Sequence, residues 1–523
     1  MSTFLQSYMA RDAQLMAFYA KSPEALFNND SARPVWNPAL LEALRSYQGY
    51  LGLDRKITGN EWVIVTGQQP GMFTGPLYTI YKAISAIRLA QECELRTGIP
   101  HLPVYWVASD DHDFEEVRSS HFLTRNHTVF THRYEIAEDG FGAFSGLPMF
   151  RMPLESSLKE VVDQISRVVR FSDVGEEIRD LLLDTLNDAA SLSDWHARLM
   201  AVLFRNTPLC IFSPHLDAAR ECAKPVIAHD IATPLKSTEL LNETGQALKA
   251  LGYDAQVVKA EHECNFFLYM GGRRRKVLFR DGYYYIPEEQ LRCTPVELEH
   301  MLNSLPEQFS PNVALRCIVQ QALFPTRCYV AGPGELAYWA QLKPLFEHYK
   351  YSMPIVYPRA RALLLPQSVA RLQTDYALQD ADFTRPHTEL EAQALTSMPT
   401  LASLEHFYRH ETSLRAQVGS LREALQQMSP TQERAQQQVR LFHKAFEYHL
   451  EKLKRGLLRG DIERNRTVCT HVTRMCNVIA PLGKPQERVL NIFSFLFEHG
   501  IDLIPHLIAT INPVSNETQE IIL

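Results

Sequence analysis

The chain has 523 residues, a formal net charge of −7 at pH 7, and 46% hydrophobic against 22% charged residues. This length predicts two to four domains, or one domain with large insertions. The acidic balance excludes the class of general nucleic-acid binders, whose net charge is basic.

The chain shows no sign of a membrane or secretory protein. No run approaches the roughly 20 consecutive apolar residues that span a bilayer. The first 18 residues lack the basic start and continuous apolar stretch of a signal peptide. Nine scattered cysteines, without a C-x-x-C pair or zinc-type spacing, are typical of reduced thiols. We therefore expect a cytoplasmic protein with neither membrane nor nucleic acid as a partner.

From about residue 55 to 380, short apolar runs alternate with helical stretches, as in α/β folds. Strands are predicted at 62–66, 103–108, 209–212, 328–331 and 354–357. A second strand cluster at 265–270, 276–279 and 283–286 has Gly-Gly and Asp-Gly turn signals, which favour an antiparallel meander inserted into the α/β body. The basic run 273–276 within it is typical of a solvated hairpin rather than of a phosphate site.

A helical segment follows. Leu414, Val418, Leu421, Leu425 and Met428 are spaced 4, 3, 4, 3, which is a heptad seam. Residues 429–432 resemble a helix start, and apolar residues from 439 to 457 continue the heptad pattern with one stutter. Two long helices with a tight turn predict an antiparallel coiled-coil hairpin. Its seam is buried either internally or against another subunit. A further helix is predicted at 486–499.

The first stretch whose residues could bind a ligand joins the strand at 62–66 to a helix that begins at Pro76. Glycines at 67, 71 and 75 let a ligand approach the backbone, and free N–H groups at a helix start suit a phosphate or carboxylate. The residues predicted to bind a ligand are Gly67, Gln68, Gln69, Thr74, Gly75, Tyr78 and Lys82. The alternative is a tight turn that binds nothing. A Walker A loop is excluded because G-K-[ST] is absent from the chain.

The second stretch places carboxylates around one histidine after the strand at 103–108. Residues at this end of an α/β strand project into the ligand crevice. His112 is predicted as a general base towards an amine, with Asp111 or Asp113 orienting its ring. A neighbouring aspartate is the alternative proton acceptor. Alternatively, the cluster holds Mg²⁺ beside a nucleotide phosphate, or it is a solvated acidic loop with a helix cap.

The third stretch is another strand, glycine loop and helix. Gly332, Gly334 and Ala337 match a relaxed dinucleotide fingerprint, but the acid expected about 20 residues on is missing, so a dinucleotide site is disfavoured. Gly332, Gly334, Glu335 and Tyr338 are nevertheless predicted to bind the substrate or a nucleotide; the alternative is that Glu335 is only a favourable charge in the first helical turn and Tyr338 a core residue. Arg316, Gln320 and Arg359 are better candidates for an acidic substrate, because guanidinium pairs with carboxylate. Asn265, at the start of the meander, is a candidate for the crevice.

Taken in order, these stretches resemble the family of bacillithiol-biosynthesis cysteine-adding enzymes. The resemblance covers about residue 60 to the C-terminus and rests on several motifs: 66–69 with 74–82, 103–106, 111–114, 309–312 with Arg316 and Gln320, 332–339, 353–354, 358–359 and 486–488. Several of these motifs are longer than a generic loop, and their order adds specificity.

The resemblance implies an α/β fold, with a Rossmann-like nucleotidyltransferase-type core, inserted segments and a coiled-coil hairpin that mediates homodimerisation. The expected boundaries are 1–383 for the core, with a mostly helical insertion at about 126–200 and the meander at about 240–310. The hairpin is expected at 384–465. The segment at 466–523 is expected to pack back on the core.

The function implied by the family is a ligase that joins L-cysteine to the amine of glucosaminyl-malate, the last step of bacillithiol assembly. Amide formation from a carboxylate requires activation, for which we expect ATP or another nucleotide, with Mg²⁺ as an option. Two alternatives remain open: nucleotidyl transfer to another small substrate, and a coiled-coil assembly protein without activity. The intact polar loops argue against an assembly protein without activity.

Overall fold

This computed structural model describes residues 3–28, 33–134, 145–169, 172–397, 402–427, 433–464, 466–515 and 517–523. The chain forms two compact units. The first comprises Met1–Arg125, Phe130–Leu363 and Glu487–Gln519. The second comprises Asn126–Val129, Leu364–Gln486 and Glu520–Leu523. Met428 and the predicted helix start at 429–432 lie outside the described residues.

The strands, in chain order, are β1 Trp62–Gln68, β2 His101–Val107, β3 Ser119–Leu123, β4 Val129–Arg133, β5 Cys210–Phe212, β6 Glu263–Met270, β7 Arg273–Arg280, β8 Tyr283–Ile286, β9 Leu291–Cys293, β10 Phe309–Pro311, β11 Thr326–Ala331, β12 Ile355–Pro358, β13 Arg361–Leu365 and β14 Thr518–Ile522.

The α-helices of the first unit are Thr3–Met9, Ala13–Met16, Pro38–Tyr50, Leu77–Thr97, Phe114–Val117, Leu158–Val169, Asp173–Asn187, Leu192–Leu203, Asp217–Ala232, Lys236–Ala250, Pro295–Ser304, Val313–Leu323, Pro333–Trp339, Lys343–His348, Phe493–His499 and Leu503–Thr510. Short 3₁₀ turns include Pro23–Phe27, Met72–Thr74, Pro287–Glu289 and Pro306–Gln308.

Local sequence signals set many helix ends. The Asn37 side chain accepts hydrogen bonds from two N–H groups at the start of Pro38–Tyr50, and Thr294 with Glu297 forms a capping box on Pro295–Ser304. The helix Leu77–Thr97 ends at Gly98, whose φ of 69° is the left-handed conformation that glycine adopts readily. The predicted helix at 486–499 is wrong in its first half, where only a 3₁₀ turn at Gln486–Arg488 forms before Phe493–His499.

A five-stranded parallel sheet, in the order β12-β11-β1-β2-β5, forms the centre of the first unit. All five predicted strands of the α/β body are present. Val63 and Val65 pack in one apolar cluster, whereas Ile64 packs in another with Ala86 and Leu89 of the following helix. Burial of both faces explains why these strands are continuously apolar.

The chain order of these strands places a crevice at the sheet's centre. β1, β2 and β5 run outward to one side, and the chain then returns to add β11 and β12 on the other side of β1. Helices that follow β1 and β11 leave in opposite directions at such a reversal, so a crevice opens at the carboxyl ends of these two strands. Rossmann-like sheets bind their ligands at this position.

The second sheet is antiparallel, in the order β10-β6-β7-β8-β9. The predicted meander is confirmed, and β9 and β10 extend it. Buried residues of β6 and β8, among them Phe266, Leu268 and Tyr284, join the same apolar cluster as Val63 and Val65. The meander is therefore built onto the core of the first unit.

The second unit is mainly helical. Its α-helices are Gln367–Asp375, His387–Thr396, Ala402–Gln427, Glu433–Arg464 and Arg466–Ile479. Arg415 forms ion pairs with Glu411, Glu447 and Glu451, and Lys454 pairs with Glu411 at 3.7 Å. Predicted seam residues Leu414, Leu421 and Leu425 are 41–49% exposed, whereas Leu450 is buried. In the described part of the chain, no helix is long and apolar enough to cross a membrane.

Candidate functional site

A cavity of about 510 Å³ lies at the carboxyl ends of β1, β2 and β11, where the strand order predicts a crevice. The predicted site residues that line it are Gly67, Gln68, Gln69, Tyr78, Lys82, Asp111, Arg316, Gly332, Gly334, Glu335, Tyr338 and Arg359. Three separate stretches of sequence thus meet in one place.

Two adjacent glutamines at the end of β1 divide the cavity. The Oε1 atom of Gln68 accepts a hydrogen bond from Lys82 Nζ at 2.8 Å. Gln69 Nε2 instead donates to Asp111 Oδ2 at 2.9 Å and to Glu116 Oε2 at 2.8 Å. We call the part of the cavity around Gln68 and Lys82 the Lys82 side, and the part around Gln69, Asp111 and Glu116 the Asp111 side.

Gly67 precedes the glutamines for a steric reason. A Cβ atom at this position would lie 2.6 Å from the carbonyl oxygen of Trp106 on the neighbouring β2. Only glycine allows the two strands to approach this closely. The glycine is therefore required by strand packing, and its carbonyl oxygen is free to accept a hydrogen bond from Lys82 Nζ at 2.9 Å.

The Lys82 side is built around a buried ion pair. Lys82, 3% exposed, pairs with Glu335 from the helix after β11. Burial would raise the pKa of the Glu335 carboxyl, but Lys82, the Tyr329 hydroxyl at 2.6 Å and the Gly332 N–H at 2.7 Å hold it below its ordinary value. Burial lowers the pKa of Lys82, and Glu335 opposes that shift. Glu335 is therefore an ionised partner that keeps the lysine in place.

Three arginines complete the Lys82 side. Arg359 is already neutralised, because both its terminal nitrogens donate to Glu487 at 2.7 Å. Arg316 donates to the Tyr338 hydroxyl at 2.9 Å and forms no ion pair with a carboxylate of the described residues. Arg488 is exposed and likewise has no carboxylate partner among them. Arg316 and Arg488 therefore have charge available for an anionic ligand.

The Asp111 side carries negative charge. Asp111 Oδ1 accepts the backbone N–H groups of His112 at 2.7 Å and Asp113 at 3.1 Å, which fixes the carboxylate at the cavity wall. The neighbouring Asp110 points to an interior ion pair with Arg220 and accepts the Tyr269 hydroxyl at 2.8 Å. Its charge is neutralised by Arg220, and its hydrogen bond with Tyr269 of β6 holds the loop after β2 against the meander.

His112 lies beside the cavity lining rather than in it. Its Nδ1 is 3.4 Å from Arg274 Nη1 and 4.0 Å from Asp111 Oδ1. Burial and then the Arg274 cation lower the pKa of His112, so the imidazole is neutral at pH 7. Because Arg274 is always a donor, the Nδ1 lone pair faces it and the ring proton is assigned to Nε2. The predicted base therefore has its accepting nitrogen directed at an arginine.

Asp113 is a helix cap. Its carboxylate accepts the Glu116 N–H at 3.3 Å, at the start of Phe114–Val117. This is the helix-cap alternative of the sequence reasoning. Asp113 is exposed and does not line the cavity.

Thr74 and Gly75 are placed in the interior instead of the cavity. Asn491 Nδ2 donates to the carbonyl oxygens of Phe73 at 2.6 Å and Gly75 at 2.8 Å, and the Phe73 ring packs 5.1 Å from that of Trp195. The half of the loop after Gly71 is therefore a packed turn. Gly75 combines a φ of 74° with a ψ of −163°, a conformation that is essentially confined to glycine.

Asn265 and Gln320 do not line the cavity, and both are fully buried. Asn265 donates to Ser237 at 2.8 Å and Thr238 at 3.0 Å, and it accepts from Asn312 at 2.6 Å. Asn312 lines the cavity and caps Val313–Leu323. Neither amide atom of Gln320 has a hydrogen-bond partner among the residues that the structure describes. Asn265 thus acts on the cavity only through Asn312.

Seven polar or charged residues of the cavity are not among the predicted site residues: Asp110, Glu116, Gln256, Arg274, Asn312, Tyr329 and Arg488. Arg274 was assigned to a solvated hairpin because it stands in a basic run. The motifs at 309–312 and 486–488 contain Asn312 and Arg488, so a signal for both was present. No cluster of three or more His, Cys, Asp and Glu side chains suited to a metal ion occurs in the described ranges.

Comparison with known proteins gives matches along the whole chain. Residues 1–360 match the family model "Bacillithiol biosynthesis BshC, N-terminal Rossmann-like domain". Residues 362–523 match "Bacillithiol biosynthesis BshC, C-terminal coiled-coil domain". The Rossmann-like first part agrees with the observed strand order.

Individual relatives agree with these matches. A "Putative cysteine ligase BshC" from Prosthecochloris aestuarii is 31% identical, covering 96% of this chain and 91% of the relative. Proteins of the same description from Salinibacter ruber and Anoxybacillus flavithermus are 29% and 30% identical, over 91% and 85% of this chain and 87% and 82% of theirs. The chain therefore belongs to the BshC family of bacillithiol biosynthesis.

Proposed function

We propose that this protein is a ligase that joins the carboxyl group of L-cysteine to the amine of glucosaminyl-malate, the last step of bacillithiol biosynthesis. The observation that carries the proposal is the division of one cavity between a cationic and an acidic side. The joining of an activated carboxylate to an amine needs cations for the anionic groups and a proton acceptor for the amine.

The Lys82 side fits the phosphates of a nucleotide. Arg316 and Arg488 have no carboxylate partner among the described residues, and Lys82 is held next to them by Glu335. These three cations would hold the phosphates. ATP, when bound, supplies the activation of the cysteine carboxylate that amide formation in water requires. Mg²⁺ would accompany the nucleotide, with ligands that include phosphate oxygens.

The Asp111 side fits the amine. The amine attacks as a neutral nucleophile: its nitrogen bonds to the carbonyl carbon of cysteine, the bond from that carbon to the activating group breaks, and the nitrogen loses a proton. Asp111 lines the cavity and is the acceptor that the geometry favours, since the lone pair of His112 faces Arg274. Gln69 orients the Asp111 carboxylate.

A nucleotidyltransferase-type classification of the core belongs to the same proposal, as does a homodimer through the second unit. The pairs Arg415–Glu451 and Glu411–Lys454 support an antiparallel arrangement of Ala402–Gln427 and Glu433–Arg464. Exposed Leu414, Leu421 and Leu425 leave apolar surface for a second copy. The expected boundaries at residues 383 and 465 remain predictions.

Mass spectrometry tests the proposed function. Purified protein is given glucosaminyl-malate and cysteine, with and without ATP and Mg²⁺. We expect a product heavier by one cysteinyl residue only when ATP is present. Product formation without ATP would refute nucleotide activation. No product under any condition would refute the ligase reaction and favour nucleotidyl transfer to another substrate.

A further inference from the structure

The basic run at the start of β7 contains an arginine, Arg274, that forms no ion pair with a carboxylate of the described residues. Arg275 pairs with Glu289 at 2.7 Å and Lys276 with Glu263 at 2.9 Å, both outside the cavity. Arg274, which precedes Arg275, lines the cavity and forms no ion pair with a carboxylate of the described residues. Adjacent cations on one strand thus have different environments.

Neutral contacts fix the orientation of Arg274. Its Nε donates to Ser310 Oγ at 3.0 Å, its Nη2 donates to the Pro311 carbonyl at 2.5 Å, and its guanidinium lies 4.0 Å from the centre of the Phe267 ring. These contacts hold the side chain without cancelling its charge, and N–H groups of both terminal nitrogens remain available. A fixed guanidinium with free donors is suited to a carboxylate.

The position of Arg274 indicates which substrate supplies that carboxylate. Arg274 lies 3.4 Å from His112, the residue next to Asp111, on the side of the cavity where the proposed function places the amine. Lys82, Arg316 and Arg488 serve the activated donor on the other side. An anion bound at Arg274 therefore belongs to the molecule that carries the amine.

We propose that Arg274 binds a carboxylate of the malate group of the acceptor and so selects glucosaminyl-malate over glucosaminides with a neutral aglycone. This inference rests on the proposed ligase function. It assigns recognition of the acceptor to a meander residue that neither contacts the Lys82–Glu335 pair nor belongs to the loops after β1 and β11.

The test compares two acceptors, glucosaminyl-malate and methyl glucosaminide, in wild type and Arg274→Gln. We expect the substitution to lower kcat/KM for glucosaminyl-malate about tenfold or more, which is the usual loss for a hydrogen bond to a charged group. In the same variant, kcat/KM for methyl glucosaminide and the KM for cysteine should stay within about twofold of wild type. Arg275→Gln is the matched control, because it removes the neighbouring cation outside the cavity, and it should leave both acceptors unaffected.

An equal loss for both acceptors in Arg274→Gln, or a higher KM for cysteine alone, would overturn the inference. Arg274→Lys, which retains the charge, serves if the glutamine variant melts far below wild type; it should discriminate between the acceptors better than Arg274→Gln but less than wild type.

Calorimetric titration separates this inference from the ligase function. If wild type binds glucosaminyl-malate and Arg274→Gln binds it at least about tenfold more weakly, the carboxylate site stands even where no cysteinylated product forms. Equal affinities, or no binding to wild type, would overturn the site.

Discussion

The two sides of the cavity carry charge in different ways. On the Lys82 side, a buried lysine and a buried arginine each have an internal carboxylate partner, Glu335 and Glu487. On the Asp111 side, Asp111 and Glu116 share a neutral amide donor from Gln69. The buried cations Lys82 and Arg359 are thus paired within the protein, which leaves Arg316 and Arg488 for an anionic ligand, whereas the Asp111 side leaves negative charge for a ligand. Substitutions on the two sides should therefore affect stability and activity to different degrees.

The largest effect on stability is expected for Lys82→Met. The substitution leaves the Glu335 carboxylate buried without its cation, and breaking one partner of a buried pair costs about 3–5 kcal/mol. Urea denaturation should show the corresponding loss in the free energy of unfolding. The double variant Lys82→Met/Glu335→Gln should recover a large part of it. Equal stability of Lys82→Met and wild type would show that the pair contributes nothing.

On the other side, the largest effect should be on catalysis. We expect Asp111→Asn to lower kcat about 100-fold, the usual contribution of a positioned base, while the fold is kept because Asn retains an oxygen for the His112 and Asp113 N–H groups. His112→Ala should lose less, because its accepting nitrogen faces Arg274. Single-turnover kinetics measures both. If kcat fell further in His112→Ala than in Asp111→Asn, the histidine and not the aspartate would be the general base.

The adjacent glutamines allow a matched comparison with the same substitution. Gln69→Glu places a third carboxylate beside Asp111 and Glu116 and should destabilise the protein by about 1 kcal/mol. Gln68→Glu places the same charge beside Lys82, and its free energy of unfolding should stay within about 0.5 kcal/mol of wild type. Urea denaturation of the pair measures the difference. Equal effects would contradict the electrostatic division of the cavity.

The smallest expected effect is on the pH dependence of stability. The pKa of His112 is lower in the folded protein than its ordinary value of 6.5. As the pH falls through 6.5, the unfolded chain takes up the proton first, so the folded state loses stability. The loss of unfolding free energy between pH 7.5 and pH 5.5 should be smaller in His112→Gln than in wild type. An unchanged loss would show that His112 keeps its ordinary pKa.

The sequence patterns predict where the cavity lies but not every residue of its wall. Residues at or just beyond the ends of β1, β2 and β11 could be predicted, because residues at the carboxyl ends of parallel strands face the same crevice. Gly67, Gln69 and Asp111 are examples. Thr74 and Asn265 stand in similar motifs but are buried, because distant segments cover them: Asn491 bonds the carbonyls of Phe73 and Gly75 on either side of Thr74, and Asn265 bonds Ser237 and Asn312. Only the folded chain reveals such contacts.

The sequence by itself determined the strands of the parallel sheet, the meander and the resemblance to the family, because these depend on local apolar patterns and on motif order. The tertiary structure decided how each charge is used. Within one basic run it neutralises Arg275 and Lys276 with carboxylates and leaves Arg274 available. It also pairs Arg359 with Glu487, 128 positions away in the chain. The reason is physical: the energy of a charge depends on its distance from other charges in space and on its burial, and a local sequence pattern specifies neither.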